Sequence, residues 1–212
     1  MGIRYDLTYE TMPWHKVDAV VFDIGNVLIR YEPERIVREL FPGDEVKQRH
    51  ILDKVYFAPE WQAFDRGTLD FDEAAQMFSA RYGYPLEDYV RAVRVALELK
   101  EPLEEGWRAA RRCKRAGKRL YLLSNYSREG YLRLRERFAD RFALFDGDCV
   151  SAFYHQIKPE PEIYDTLIAK FSLDPARALF IDDSLANVEA ACAKGMGGFH
   201  RHENGMMDRF FL

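Results

Sequence analysis

Cysteine is scarce in these 212 residues: Cys113, Cys149 and Cys192 are odd in number and far apart, and no Cys-x-x-Cys pair occurs. That argues against a disulfide framework and for reduced thiols in a cytoplasmic protein. Long apolar runs are missing too. Nothing approaches the ~18 consecutive apolar residues of a membrane span, and the opening MGIRYDLTYETMPWHKVD has neither the basic start nor the apolar centre of a signal peptide. Net charge is small, with 31 Lys and Arg against 35 Asp and Glu, a balance of -4 that leaves no overall basic footprint for nucleic acid. Arg111, Arg112, Lys114, Arg115, Lys118 and Arg119 form one basic run. They fall late on an expected helix and into the next strand, where cations suit the helix dipole and a solvated face. His200-x-His202 lacks a third metal ligand and reads as a solvated strand end. Internal repeats and low-complexity tracts are absent.

What remains is a chain 48% hydrophobic and 31% charged, enough for one core or for a core with a smaller inserted domain. Its organising stretch is VVFDIGNVLI, Val20 to Ile29, an apolar strand that ends on Asp23 and breaks into Gly25 and Asn26. A charge at the end of such a run needs a cation or donors around it. Gly25 is expected to let the backbone turn sharply beside a ligand at the carboxyl end of the strand. Residues 1–16 read as an arm over the body or a poorly ordered terminus.

From Pro33 to about Lys100 the chain reads as helices alone. Glu32-Pro33-Glu34 opens one; a second carries Val46, Ile51, Leu52, Val55 and Tyr56; Asp70 and Glu73 cap a third; Leu86 to Leu99 makes a fourth. Asp65-Arg66-Gly67-Thr68 is a turn. Tyr56, Phe57, Trp61 and Phe64 are expected in a helical core rather than a substrate pocket. Beyond Lys100, strands alternate with helices: Arg119–Ser124, Asp148–Ser151, Ala178–Ile181 and Gly197–His200 against Pro102–Ala116, Ser127–Phe138, Pro161–Phe171 and Leu185–Lys194. That texture predicts an α/β fold with a doubly wound, Rossmann-like parallel sheet. The expected division is a core of 1–31 and 101–212 with a helical cap of 32–100.

Three expected strands end on polar groups: Asp23, Ser124, and the pair Asp182-Asp183. Parallel strands present their carboxyl ends on one edge, so these groups are expected to meet although about 100 and 160 positions separate them. Carboxylates crowded together repel, and Mg²⁺ is the cation that suits them. Lys158 stands just before a helix start, useful against an anion, and Ser124-Asn125 offers a hydroxyl, an amide and backbone N–H groups for the same purpose.

FDIGNVLI, YLLSN, IKPEPEIY and FIDDSLANVEAA, in that order, resemble the four motifs of the haloacid dehalogenase (HAD) superfamily, with a helical cap between the first and second. The first motif is similar to the Phe-Asp-Leu-Gly-Asn-Val branch, which includes sugar-phosphate phosphatases such as α-glucose-1-phosphate phosphatase. The resemblance implies a Mg²⁺-dependent phosphatase acting on a small phosphorylated metabolite, a sugar phosphate first, as a monomer or homodimer away from nucleic acid and membrane. It implies Asp23 as the nucleophile that becomes an aspartyl-phosphate. Ser124, Asn125 and Lys158 would hold the phosphate, and Asp23, the Gly25 carbonyl and Asp183 the metal. Asp182 would act through a water, with the order within the pair open. Asn187, one turn further, either orients the acids or lies on a helix surface.

The alternatives are a metal-free 2-haloacid dehalogenase and a non-catalytic binding or regulatory protein on the same scaffold. One departure bears on all of them. Superfamily phosphatases carry a second Asp two residues after the nucleophile as the leaving-group acid, and here that place is Gly25. The proton must come from the cap, from water, or not at all, and the last case favours esters with good leaving groups.

Overall fold

The computed structural model describes residues 14–94 and 97–210. Its first strand, β1 (Ala19–Phe22), is buried along its whole length. Successive strand side chains point to opposite faces, and accordingly Val20 and Phe22 join one apolar cluster while Ala19 and Val21 join another. After a tight loop the chain forms β2 (Ile29–Arg30) and enters α1 (Pro33–Leu40), α2 (Glu45–Ile51), α3 (Trp61–Asp65), α4 (Phe71–Tyr82) and α5 (Leu86–Arg94). It returns through β3 (Glu101–Pro102), which pairs antiparallel with β2, so entry and exit of the helical unit lie side by side. Next come α6 (Glu104–Arg115), β4 (Arg119–Ser124), α7 (Arg128–Arg137), α8 (Ala139–Phe142) and β5 (Gly147–Val150). The chain closes with α9 (Pro161–Phe171), β6 (Ala178–Asp182), α10 (Leu185–Ala193), β7 (Gly197–His200) and α11 (Met206–Phe210).

The sheet runs β5-β4-β1-β6-β7, every pairing parallel. On one face Trp107 and Cys113 of α6 and Tyr131 and Leu134 of α7 cover Val20, Leu122 and Ile181. On the other, Ile163, Tyr164 and Leu167 of α9 and Ala191 of α10 cover Val21, Tyr121 and Phe180. This is the doubly wound α/β arrangement expected of a Rossmann-like core. Since β1 lies between β4 and β6, the connections diverge on either side of its carboxyl end and open a crevice there. Gly106 is required: a Cβ would stand 1.9 Å from the Val27 carbonyl oxygen, where α6 packs against the loop after β1.

The helices between β2 and β3 have a core of their own, built on Ile36, Val37, Ile51, Val55, Phe71, Phe78 and Tyr89. The Asp70–Glu73 capping box forms as expected. Two details differ from the sequence reading. Val46 is 74% exposed, because α2 passes into a single π turn over Leu52–Tyr56 that turns Val55 and Tyr56 inward and leaves Val46 on the outside. Asp65 closes a short helix rather than opening a turn. Part of the expected Leu86–Leu99 helix, at 95–96, and most of the 1–16 arm, at 1–13, lie outside the described residues.

The basic run is solvated and paired: Lys114 with Asp146 at 2.6 Å, Arg111 with Glu104 at 3.9 Å, Arg112 with Asp208 at 3.6 Å. No helix among the described residues is long and apolar enough to cross a membrane.

Candidate active site

Where β1 ends, Asp23 donates its N–H to the Ile181 carbonyl at 2.9 Å and so continues the sheet by one residue. The following loop is tied by Ile29 N–H to the Ile24 carbonyl and by Asn26 N–H to the Ile29 carbonyl. Here the expectation for Gly25 is corrected. The left-handed residue is Asn26, at φ 48, and a Cβ on Gly25 would meet only Asp23 Oδ2, at 3.8 Å. Asn is among the few side chains that tolerate this region because its amide bonds locally. Asn26 Oδ1 accepts from Tyr31 N–H at 2.9 Å, and its Nδ2 donates to Asp183 Oδ2 at 3.0 Å.

Lys158 is 3% exposed, and its ammonium stands between two carboxylates, 2.8 Å from Asp23 Oδ1 and 2.6 Å from Asp182 Oδ2, while donating to the Leu123 carbonyl at 3.0 Å. Burial opposes its charge, but the two carboxylates prevail and hold its pKa above the ordinary lysine value. Asp182 is wholly buried and also accepts from Ser184 N–H at 2.8 Å and from Asn187 Nδ2 at 3.1 and 3.2 Å. Asn187 thus orients an acid and is no mere surface residue.

Asn125 lies where expected but its side chain is already engaged. Its Nδ2 donates to the Lys158 carbonyl at 2.9 Å and its Oδ1 accepts from Lys158 N–H at 2.7 Å, so this amide positions the lysine instead of reaching for an anion. His200 also departs from a solvated strand end: its Nε2 lies 3.0 Å from the Asp183 carbonyl oxygen.

Carboxylate oxygens of Asp23, Asp182 and Asp183 all lie within 4.8 Å of one another. Burial, and then the Asp23 charge, push the Asp183 carboxyl above its ordinary value, as happens in a cluster short of positive charge. Asp23 Oδ1, although close to Lys158, lacks an aligned hydrogen bond. This all-oxygen donor set fits a hard divalent cation such as Mg²⁺.

Asp23, Gly25, Ser124, Asn125, Lys158, Asp183 and Asn187 line one cleft enclosing ≈ 890 Å³, part of it open to solvent. Asp182 lies beneath it. The opposite wall belongs to the helical unit: Tyr56, Trp61, Phe64, Val93 and Leu97 face the same space. Tyr56 and Phe64 serve the helical core as well, so the aromatic residues expected in a core line the cleft too, apart from Phe57, which is 58% exposed.

Sequence reasoning missed four further lining residues, Tyr31, Asp65, Lys100 and Tyr126. Asp65 and Lys100 are titratable groups on the helical side. Burial raises the Asp65 pKa to about 7, and burial lowers that of Lys100 to about 7. Lys100 is 6% exposed, with its ammonium 3.9 Å from the centre of the Tyr31 ring. The only local signals were their places, Lys100 at the end of the helical stretch and Tyr126 two residues after Ser124.

Several known proteins share this architecture. A sesquiterpene phosphatase of Aspergillus oryzae is 29% identical over 182 residues, covering 86% of this chain and 88% of its own. A drimenol cyclase of Aspergillus calidoustus is 24% identical over 196 residues, 91% of this chain but 35% of that protein. A HAD family enzyme from Bacteroides thetaiotaomicron, solved with magnesium and inorganic phosphate, superposes with a TM-score of 0.72 at 20% identity, covering 89% of this chain and 96% of that one. L-2-haloacid dehalogenase from Xanthobacter autotrophicus, with chloropropionic acid covalently bound, gives 0.64 at 18% identity, covering 91% and 81%. The model of the haloacid dehalogenase-like hydrolases matches residues 17–193, and with this sheet, these motifs and this cleft the chain belongs to that family and is a hydrolase.

Proposed function

We propose that the protein is a Mg²⁺-dependent phosphatase that releases phosphate from a small monoester through an aspartyl-phosphate on Asp23. The observation that carries this reading is the pairing of Asp23 with a buried Lys158 inside a cluster of three carboxylates. A phosphoryl group bound there would meet Lys158 and the Ser124 hydroxyl, while the Asp23 carboxylate attacks phosphorus and the ester oxygen departs. Asp23, the Gly25 carbonyl and Asp183 would hold Mg²⁺, since Asp183 lines the cleft and Asp182 is covered by it. The cation would neutralise phosphate charge and polarise the P–O bonds. Asp182, buried beneath the cleft and held by Asn187, and Asn125 on its lining would fix Lys158 in place. Residues 32–100 would serve as the cap that closes over the organic part of the substrate.

That cap bears on the substrate. Apart from Asp65 and Lys100, this wall of Tyr56, Trp61, Phe64, Val93 and Leu97 presents little that could hydrogen-bond a ring of hydroxyls, and burying unpaired hydroxyls is costly. An apolar alcohol phosphate fits this wall better than the sugar phosphate suggested by the first motif, in keeping with a relative that is a sesquiterpene phosphatase. A metal-free dehalogenase has less support, because three clustered acids serve no purpose without a cation.

The test is phosphate release from farnesyl phosphate, glucose 1-phosphate and 4-nitrophenyl phosphate, with Mg²⁺ and with EDTA. The expected order of kcat/KM puts the terpenyl ester above the sugar ester, with no turnover in EDTA. Chloride release from 2-chloropropionate in EDTA, without phosphate release from any ester, would overturn the reading.

A further inference from the structure

The helical wall is apolar except at Asp65 and Lys100, and the backbone around Asp65 is pinned to the core more firmly than a simple wall requires. The Asp65 carbonyl accepts from the Ser151 hydroxyl at 2.5 Å, and Ser151 Oγ in turn accepts from Tyr126 N–H at 2.9 Å. Arg66 grips both carboxylate oxygens of Glu160 at 2.8 and 2.5 Å and donates to the His155 carbonyl at 3.1 Å. Glu160 lies two residues beyond Lys158. Gly67, at φ 75, lies against Ala152 so closely that a Cβ would be 2.6 Å from its carbonyl oxygen. Three consecutive residues therefore lock this point of the helical unit to the loops that carry Tyr126 and Lys158. The Asp65 carboxyl has no ion-pair partner within 4.0 Å among the described residues, although Lys100 lines the same space. Trp61 hydrogen-bonds the Asp65 carboxyl, while the buried Tyr126 hydroxyl in the same space has no hydrogen-bond partner. A backbone-anchored carboxyl and an unpartnered phenol lining the same cleft as Lys158 mark where a polar atom of the substrate belongs.

We propose that Asp65 is the acid that protonates the departing oxygen, the role that Gly25 leaves unfilled beside Asp23. The inference rests on the phosphatase reading. In the first step the Asp23 carboxylate forms a bond to phosphorus, the bond from phosphorus to the ester oxygen breaks, and the Asp65 carboxyl gives its proton to that oxygen, releasing the alcohol. In the second, water attacks the aspartyl-phosphate, its proton passes to the Asp65 carboxylate, and the bond from phosphorus to Asp23 breaks. Asp23 and protonated Asp65 are restored and inorganic phosphate leaves. Lys100, Lys158, Asp23, Tyr31 and Tyr126 are the charged or titratable groups that act on Asp65. Burial and the Asp23 charge favour its neutral form, Lys100, Lys158 and a hydrogen bond from Trp61 its ionised form, and the outcome is a carboxyl that holds a proton up to about pH 7. The Tyr126 hydroxyl donates to the same departing oxygen.

The experiment compares 2-phenylethyl phosphate, a poor leaving group, with 4-nitrophenyl phosphate, a good one, on the Mg²⁺-loaded protein and on Asp65→Asn. Loss of the acid is expected to cost the alkyl ester about 10²-fold or more in kcat/KM and the aryl ester less than about tenfold. Wild-type turnover of the alkyl ester should fall as pH rises through about 7, and this alkaline limb should vanish in Asp65→Asn. In Lys100→Met the limb should persist and move to higher pH, since a cation that acidifies Asp65 is gone; this arm decides the matter should Asp65→Asn not fold. Equal losses on both esters in a folded Asp65→Asn, or a limb that vanishes in Lys100→Met, would overturn the assignment. Absence of phosphate release from either ester by the wild type would instead strike the phosphatase reading, and this inference with it.

Discussion

The two walls of the cleft handle charge in opposite ways. On the sheet side Lys158 is met by two carboxylates and Asp182 by a lysine, an amide and a backbone N–H, although burial still raises the Asp182 and Asp183 carboxyls. On the helical side Asp65 and Lys100 lie among Tyr31, Tyr56, Trp61 and Phe64, and burial drives both toward neutrality. A wall of compensated charges suits a permanently ionic group, the phosphate. A wall of groups poised between protonation states suits the apolar remainder and the one proton the reaction must move.

The comparison breaks first at Asp23. Asp23→Asn keeps the shape and removes the nucleophilic charge, so phosphate release should fall by on the order of 10⁴-fold or more while the thermal melt keeps its single transition. Wild-type turnover in this variant would exclude the covalent route.

Lys158 tests the compensated wall. In Lys158→Ala the carboxylates of Asp23 and Asp182 lose their shared cation, and removing one partner of a buried pair costs about 3–5 kcal/mol. Urea unfolding at pH 8 should show that loss, and the deficit should shrink on acidification as the stranded carboxylates protonate. A loss below about 1 kcal/mol at pH 8 would mean the network is not charged as described.

The helical wall should respond with the opposite sign. Asp65 is raised from 3.8 to about 7, so the folded protein keeps a proton that the unfolded chain releases, and stability falls as pH rises between those values. Lys100 is lowered from 10.5 to about 7, so its cost is complete below about pH 7 and gone above 10.5. Both costs are present at pH 7 to 8. Asp65→Asn and Lys100→Met should each gain about 1–2 kcal/mol there, or roughly 2–6 °C in Tm, while harming activity. Scanning calorimetry at pH 5 and 8 distinguishes the two, because only the Asp65→Asn gain should fade at the lower pH.

The smallest effect concerns shape. Trp61→Ala opens the apolar wall and removes no charged group, although Asp65 loses its hydrogen bond from Trp61, and kcat/KM for farnesyl phosphate should fall by about tenfold relative to 4-nitrophenyl phosphate, mostly through KM. A uniform loss on both esters would place Trp61 in the helical core alone.

How much of this was legible in the chain follows from range. Apolar runs closed by Asp23, Ser124 and Asp182 announced parallel strands and one shared edge, because continuous apolar runs and the carboxyl-end rule depend on local pattern alone. Lys158 and Asn187 were visible as motif members. What each one touches was not visible: Asn125 engages Lys158, and Asn26, not Gly25, takes the left-handed conformation in the sharp turn and a bond to Asp183. Asp65 is a turn residue like many others until the helical unit folds back, and Arg66 and Gly67 are pinned to Glu160 and Ala152. The sequence alone determined the α/β core, the family and the sheet side of the cleft, since these reside in short segments whose spacing survives without a partner. Only tertiary structure decided the helical side, because the burial that sets the protonation of Asp65 and Lys100 is made by residues up to about 70 positions away, brought together by packing.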